Sequence, residues 1–137
     1  MTRKVIATLV GALSLAACAP DSSNAAPVAV ELANDRVTLG SAEIATGRVV
    51  FEIENESADL VHEVEVFAGG TEGAVLSVSN SVADTAGLDL VDEVEDIVPG
   101  SSTSLTVDLE PGTYLVMCNL PDHYGNGMWA YLTVTGD

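Results

Sequence analysis

A short segment near the end of the sequence gathers three side chains that can bind a soft metal ion. The segment YLVMCNLPDHYGNGMWAYLTV places Cys118, His123 and Met128 at intervals of five residues. Thiolate and thioether sulfur atoms are soft ligands, and imidazole suits copper and zinc. The sequence therefore predicts a metal site to which this one segment supplies three ligands.

A fourth ligand is expected from elsewhere in the chain, and His62 is the only other histidine. It begins a predicted strand, HEVEVFA, and shares one face of that strand with Val64 and Val66. A histidine at the end of a strand can meet a loop that closes the same end of a β-barrel. Its separation of 56 residues from Cys118 is typical of ligands that folding brings together.

The available ligands exclude other common metal centres. A structural zinc site usually has four Cys or His ligands, and an iron–sulfur cluster needs about four thiolates. The chain has two histidines and two cysteines, and one of those cysteines, Cys18, has another predicted use. Two histidines, one cysteine and a distant methionine match the trigonal blue-copper arrangement instead. Taken singly, each ligand has an ordinary alternative, as an edge histidine, a small buried thiol or a core methionine.

The elements that position these residues are predicted to be β-strands. In GRVVFEIEN, Val49, Phe51 and Ile53 share one face, and Val50, Glu52 and Glu54 share the other. The other predicted strands are VAVELA, RVTLG, HEVEVFA, STSLTVDL, TYLVMC and WAYLTVTG. The stretch from Ala83 to Val98 fits a helix, a strand or an acidic loop. We predict an all-β fold, a Greek-key β-sandwich or barrel of about seven to eight strands.

The turn in LEPGTY carries two further predictions. Pro111 and Gly112 suit the second and third positions of a type II turn. The pattern L-x-P-G-x-Y also resembles a tyrosine corner, in which Tyr114 ties the turn to the strand that follows.

The start of the chain predicts export and a lipid anchor. A basic start precedes an apolar run, Val5 to Ala12, that is too short for a permanent membrane span. Leu15 to Cys18 then resembles the bacterial lipoprotein box, in which the signal is cut before a cysteine that becomes lipidated. An ordinary signal, cut after AAC at Cys18 or after CAP at Pro20, is the alternative. We divide the chain into a signal peptide (1–17), a lipidated Cys18 with a flexible tether (18–27) and one domain (28–137). The protein is then expected in the periplasm or on the outer face of the cytoplasmic membrane.

The charge of the chain limits its partners. After the predicted cleavage, Arg36 and Arg48 are the basic side chains that remain against 21 acidic ones, a net charge of −19. This charge argues against nucleic acid, because phosphate contacts need basic groups. It favours a basic protein partner, since long-range attraction speeds encounter. Solubility in a salty medium is the simpler alternative, and the acidic run from Asp84 to Asp96 is either a docking patch or a solvated face.

These motifs resemble those of the cupredoxins, the small blue copper proteins. The resemblance rests on VHEVEV and on P-G-x-Y-x-x-x-C-x-x-x-x-H-x-x-x-x-M-W, and it covers roughly residues 28–136. The ligand spacing is most similar to that of the rusticyanin and sulfocyanin branches, and longer than that of plastocyanin between cysteine and histidine. The resemblance implies one type 1 copper with three equatorial ligands, His62, Cys118 and His123, and an axial ligand, Met128. Several cupredoxins brace the ligand loop with Asn or Ser after the first histidine, and Glu63 stands there in this chain.

The resemblance implies outer-sphere electron transfer rather than catalysis. Copper enzymes of this lineage add centres built from further histidines, and this sequence has none left after one site is filled. We therefore expect a monomeric one-electron shuttle rather than an enzyme. Copper storage or delivery to an extracytoplasmic oxidase is the alternative, although such proteins usually present exposed, often Met-rich ligands. A structural or adhesion domain would leave the ligand set unexplained.

The resemblance also implies where a redox partner, such as a cytochrome or an oxidase, would touch. The second histidine of the loop usually reaches the surface through an apolar patch. Here that residue is His123, and its expected rim is formed by Leu120, Pro121 and Tyr124.

Overall fold

Residues 27–136, the part of the chain that the computed structural model describes, contain eleven β-strands and no helix. The strands are β1 (Val28–Ala33), β2 (Arg36–Leu39), β3 (Glu43–Ala45), β4 (Gly47–Asn55), β5 (His62–Ala68), β6 (Val78–Ser79), β7 (Val82–Ala83), β8 (Asp89–Ile97), β9 (Ser102–Leu109), β10 (Gly112–Met117) and β11 (Trp129–Thr135). A search of these residues for a helix able to cross a membrane finds none. The predicted signal peptide, Cys18 and nearly all of the tether lie outside the described residues.

The strands form two main sheets and one small hairpin. One sheet has the order β2-β1-β4-β9, the other has the order β3-β11-β10-β5-β8, and β6 pairs with β7 alone. The chain changes sheet on either side of β3, between β4 and β5, and on either side of β9, as in a Greek key. The all-β Greek-key prediction is confirmed. The strand count exceeds seven to eight because β3, β6 and β7 are too short to leave an alternating pattern.

The main core lies between the two large sheets and consists of side chains that point inward from alternate positions of the strands. Val49, Phe51 and Ile53 of β4 are buried, as their alternation predicts, and so are Val64 and Val66 of β5. Burying side chains of this size contributes about 1.5–3 kcal/mol each. This core fixes the strand ends from which the metal-binding side chains project.

A second apolar cluster lies on the other face of the five-stranded sheet. It contains the buried residues Phe67, Ala83, Leu115, Met117 and Tyr124, packed against Leu76, Leu88, Trp129 and Tyr131. Residues 69–88, which connect β5 to β8, supply several of these side chains and so cover that face. As a result β10 is buried on both faces, which explains why its sequence is continuously apolar instead of alternating.

The turn before β10 is a tyrosine corner, as predicted. The Tyr114 hydroxyl donates a hydrogen bond to the Glu110 carbonyl at 2.8 Å. The type II turn predicted at Pro111 and Gly112 is wrong, because such a turn needs a positive φ at its third position. Gly112 is not among the residues with positive φ, since it already pairs with Val134 as the first residue of β10.

The ambiguous segment from Ala83 to Val98 is mainly a strand. Asp89–Ile97 form β8, which pairs with β5 and lies at the edge of its sheet. Nearly all of its side chains are exposed, so no apolar alternation marks it. Its acidic residues oppose association with another strand edge, because like charges would meet there.

Candidate metal centre

His62 is placed by the first residue of β5, at one end of the sandwich. It pairs with Ile97 of β8, and its side chain is fully buried. Its face is the one shared by Val64 and Val66, as predicted. The ring nitrogen Nδ1 faces the other candidate ligands, whereas Nε2 is buried without a hydrogen-bond partner among the described residues.

Cys118 and Met128 stand at the two ends of the loop that joins β10 to β11. The Cys118 amide donates to the Met128 carbonyl at 3.0 Å and closes this loop. Inside the loop, the His123 amide donates to the Leu120 carbonyl at 2.9 Å, and the Met128 amide donates to the His123 carbonyl at 3.1 Å. The side chains of Cys118 and Met128 are fully buried, and His123 is partly exposed.

Three of the four predicted ligands converge in space. The Nδ1 atoms of His62 and His123 are 3.2 Å apart, and Cys118 Sγ lies 3.2 Å from His123 Nδ1 and 3.9 Å from His62 Nδ1. Because metal–nitrogen bonds are about 2.0–2.1 Å long, as for imidazole on zinc, donor atoms at these separations could all bind one ion. The donor set therefore fits a single metal ion bound by two imidazoles and one thiolate.

The environment keeps these groups in their neutral forms when no ion is bound. Burial lowers the pKa of His62, and the nearby His123 lowers it further. Burial also lowers the pKa of His123, against the opposite effect of Asp122. For Cys118, burial raises the pKa to about 11. The imidazoles are thus ready to ligate at neutral pH, whereas the thiol must release its proton when an ion binds.

Glu63 braces the ligand segment although it replaces the expected Asn or Ser. Its backbone N–H points at Cys118 Sγ at 3.5 Å, and its carboxylate oxygen Oε1 accepts a hydrogen bond from the Asn119 amide at 3.1 Å. One residue of β5 therefore supports both the cysteine and the residue after it. Burial raises the pKa of this carboxyl group, and the hydrogen bond from Asn119 opposes that effect.

Asn55 is a buried residue whose side chain makes several hydrogen bonds, a role that was not predicted from the sequence. Its Nδ2 donates to the carbonyls of Leu60 at 2.9 Å and Ile97 at 2.8 Å, and its Oδ1 accepts from the amide and hydroxyl of Ser57. These bonds hold the loop that leads into His62 against the end of β8. The run NESAD after a strand could have indicated this role, because asparagine often bonds the backbone two residues on.

Of the three residues predicted to form the partner rim, two lie at the surface, and the prediction of an exposed Tyr124 is wrong. Pro121 is exposed and Leu120 is partly exposed, but Tyr124 is 1% exposed. Its hydroxyl accepts a hydrogen bond from the Leu76 amide at 2.9 Å, and its ring stacks on Trp129. Residues 69–88 cover this side of the loop, so Tyr124 packs into the second apolar cluster instead of facing solvent.

Three other apolar side chains are exposed at the His62 end of the sandwich. Leu60 and Val61 immediately precede His62 and are 36% and 39% exposed, and Val98, 53% exposed, follows the residue that pairs with His62. Their exposure was not predicted, because no periodic sequence pattern distinguishes an exposed apolar loop residue from a buried one.

Comparison with known proteins identifies relatives of this arrangement. Residues 32–135 match the family model described as copper binding proteins, plastocyanin/azurin family. No curated protein sequence matches the chain significantly.

Several solved structures resemble the fold. Reduced auracyanin from Roseiflexus castenholzii has a TM-score of 0.59 at 19% identity, covering 81% of this chain and 98% of that one. Auracyanin A, a "blue" copper protein from Chloroflexus aurantiacus, has a TM-score of 0.57 at 21% identity, covering 80% and 98%. Reduced rusticyanin has a TM-score of 0.59 at 19% identity, covering 80% and 78%.

Proposed function

Because the chain belongs to the plastocyanin/azurin family of copper-binding proteins, we propose that it carries single electrons between redox partners outside the cytoplasm. Its cofactor is one type 1 copper, and the residues arranged as the site are His62, Cys118, His123 and Met128. The expected family, fold and cofactor are thereby confirmed. The ligand role of each residue, the partners and the anchoring are parts of the proposal.

One observation carries the proposal: two imidazole nitrogens and a thiol sulfur converge within 3.2–3.9 Å of one another at the end of a two-sheet scaffold. Copper supplies the one-electron couple between Cu(II) and Cu(I). His62 and Cys118 are fully buried, so their side chains exclude water from the site. The strands and the closed loop hold the donors in place, so that little rearrangement accompanies a change of charge.

The test is the visible absorption spectrum of the purified domain after one equivalent of Cu(II), before and after ascorbate. A type 1 site is coloured when oxidised and bleaches when reduced. A colourless protein that binds one copper would overturn the proposal.

Storage or delivery of copper is less well supported by the geometry. A delivery protein exchanges its ion through exposed ligands, whereas the side chains of His62, Cys118 and Met128 are fully buried. The sequence also holds no histidine beyond the two in this site from which a second, catalytic copper centre could be built. We therefore propose a carrier and not an enzyme.

The proposed exit for electrons is His123, framed by Leu120 and Pro121. His123 is the partly exposed histidine of the site, and the exposed Leu60, Val61 and Val98 lie at the same end of the sandwich. Such a small apolar contact suits a transient partner. The acidic surface would steer a basic partner towards it, because opposite charges raise the encounter rate.

We expect Leu120→Asp to slow electron transfer to a basic cytochrome c at every salt concentration, with the visible spectrum unchanged. The wild-type rate should fall as salt rises, since screening shortens to about 8 Å near physiological ionic strength. Stopped-flow mixing measures both rates. Thr106→Asp adds the same charge to an exposed position of the other sheet and is the control. Equal slowing by both variants would place the exit elsewhere.

We propose that Cys18 carries the lipid anchor, on the basis of the lipoprotein-box resemblance alone. In the native host, wild-type protein should appear in the membrane fraction, and Cys18→Ser should release it or leave it in the precursor form. Membrane fractionation followed by mass spectrometry of the mature N-terminus measures this. Wild-type protein that is free in the medium and unlipidated would contradict the anchor without affecting the copper site.

A further inference from the structure

The β6–β7 hairpin ends in a strained turn. Val78–Ser79 pair with Val82–Ala83, and the two turn residues between them, Asn80 and Ser81, have φ values of 51° and 70°. Positive φ at both positions is typical of a two-residue type I′ hairpin turn. Asparagine adopts this conformation more readily than most residues, whereas for Ser81 it costs about 1–2 kcal/mol. Contacts elsewhere must therefore hold the hairpin tip in place.

Those contacts reach the residues that flank two of the copper ligands. The Asp122 amide donates to the Ser81 carbonyl at 2.7 Å. The Ala83 amide donates to Asn119 Oδ1 at 2.7 Å, and Asn119 Nδ2 donates back to the Ala83 carbonyl at 3.3 Å. Asn119 follows Cys118 directly and Asp122 precedes His123 directly. The hairpin thus makes hydrogen bonds to both ends of the four-residue stretch between Cys118 and His123.

Asn119 also links the hairpin to the five-stranded sheet. Its backbone amide donates to the Glu63 carboxylate at 3.1 Å, while its side chain holds Ala83. The rest of residues 69–88 is held by hydrogen bonds to residues outside the stretch between Cys118 and His123. The Leu76 amide donates to the Tyr124 hydroxyl at 2.9 Å, and the Tyr131 hydroxyl donates to the Ala74 carbonyl at 2.7 Å.

We propose that the β6–β7 hairpin is a positioning element for the copper site and that Asn119 is its positioning residue. This inference rests on the proposed function. Hydrogen bonds to Asn119 and Asp122 fix the stretch between Cys118 and His123 from outside, where no strand supports it. When the charge at the site changes, a stretch held in this way keeps both donor atoms in place. Without these hydrogen bonds the loop would relax differently in each oxidation state.

The first test compares Asn119→Ala with Tyr131→Phe. Tyr131→Phe removes one hydrogen bond that holds residues 69–88 but none to Asn119 or Asp122. We expect Asn119→Ala to lower copper affinity roughly tenfold, as outer-shell substitutions commonly do. It should also change the copper hyperfine splitting in the EPR spectrum. Tyr131→Phe should lower the thermal stability and leave both copper properties at wild-type values.

A second variant covers the case in which Asn119→Ala does not fold. Asn80 is exposed, and Asn80→Pro is incompatible with its positive φ, so this substitution disrupts the turn and leaves Asn119 in place. We expect the same change in hyperfine splitting as for Asn119→Ala. Wild-type hyperfine splitting and copper affinity in both Asn119→Ala and Asn80→Pro would overturn the proposal, and so would equal changes in Tyr131→Phe.

A third measurement separates this proposal from the proposed function. In the metal-free protein, amide exchange followed by NMR should show protected Ala83 and Asp122 amides in the wild type and in Tyr131→Phe. Both amides should exchange faster in Asn119→Ala. A wild-type protein that binds no copper would end the electron-transfer proposal, whereas unprotected Ala83 and Asp122 amides would end the positioning proposal.

Discussion

Replacing Cys118 by alanine should abolish the intense visible colour of the copper-loaded protein. The colour of a type 1 site comes from the bond between the thiolate and Cu(II), and Cys118 is the sole cysteine of the described residues. Two imidazoles remain, so the variant should still bind copper, with lower affinity. The measurement is a Cu(II) titration followed by visible absorption and metal analysis.

The fold should survive this substitution. Cys118 is a small buried side chain, and the loss of one sulfur atom from the core typically costs about 1 kcal/mol. Circular dichroism of the metal-free variant provides that control. If the colour persists in folded Cys118→Ala, another group binds the metal and the assignment of the site is wrong.

Replacing Met128 by leucine should raise the reduction potential and leave copper and colour in place. As the proposed axial ligand, the Met128 thioether would donate weakly and favour Cu(II) more than leucine does, since leucine donates nothing; the potential of type 1 sites is tuned by this ligand. Met128→Gln should lower the potential, because an amide oxygen is a harder donor. Leucine is close to methionine in volume, and exchanges of this kind usually cost less than 1.5 kcal/mol in a core. Protein-film voltammetry measures both potentials.

Met117→Leu is the matched control for the axial position. Met117 is also a fully buried methionine, but it lies in the second core at the end of β10. Its replacement should leave the potential close to the wild-type value. An equal shift in Met117→Leu, or loss of copper from both Met128 variants, would show that Met128 acts through packing and not as an axial ligand.

Local sequence patterns predicted the parts of this fold that obey a simple period. β4 and β5 each bury one face, and alternation in the sequence identifies Val49, Phe51 and Ile53 and the face of His62. The ligand segment was recognisable because its chemistry lies within eleven consecutive residues. Tyr114 was recognisable because a tyrosine corner is a contact over four residues.

The remaining features depend on contacts that no local pattern records. β8 is exposed along nearly all of its length and carries no apolar period. Tyr124 is buried because residues 69–88 fold over the five-stranded sheet and this side of the ligand loop, and nothing within the loop indicates that cover. Asn55 acts through Ile97, which lies 42 residues away. The sequence likewise could not show that Glu63 accepts a hydrogen bond from Asn119.

The separation between His62 and Cys118 has a further consequence for the unfolded chain. Their side chains face each other across 56 residues of sequence, and the described residues contain no disulfide. With both side chains on one ion, this stretch becomes a closed ring. In the chain-entropy treatment used for disulfides, a ring of this size stabilises the native state by about 4 kcal/mol. The difference in unfolding free energy between the loaded and metal-free forms contains this contribution only if the unfolded chain keeps both side chains on the ion. An ion proposed to carry an electron would then also act as a reversible cross-link, present only while both side chains stay bound to it.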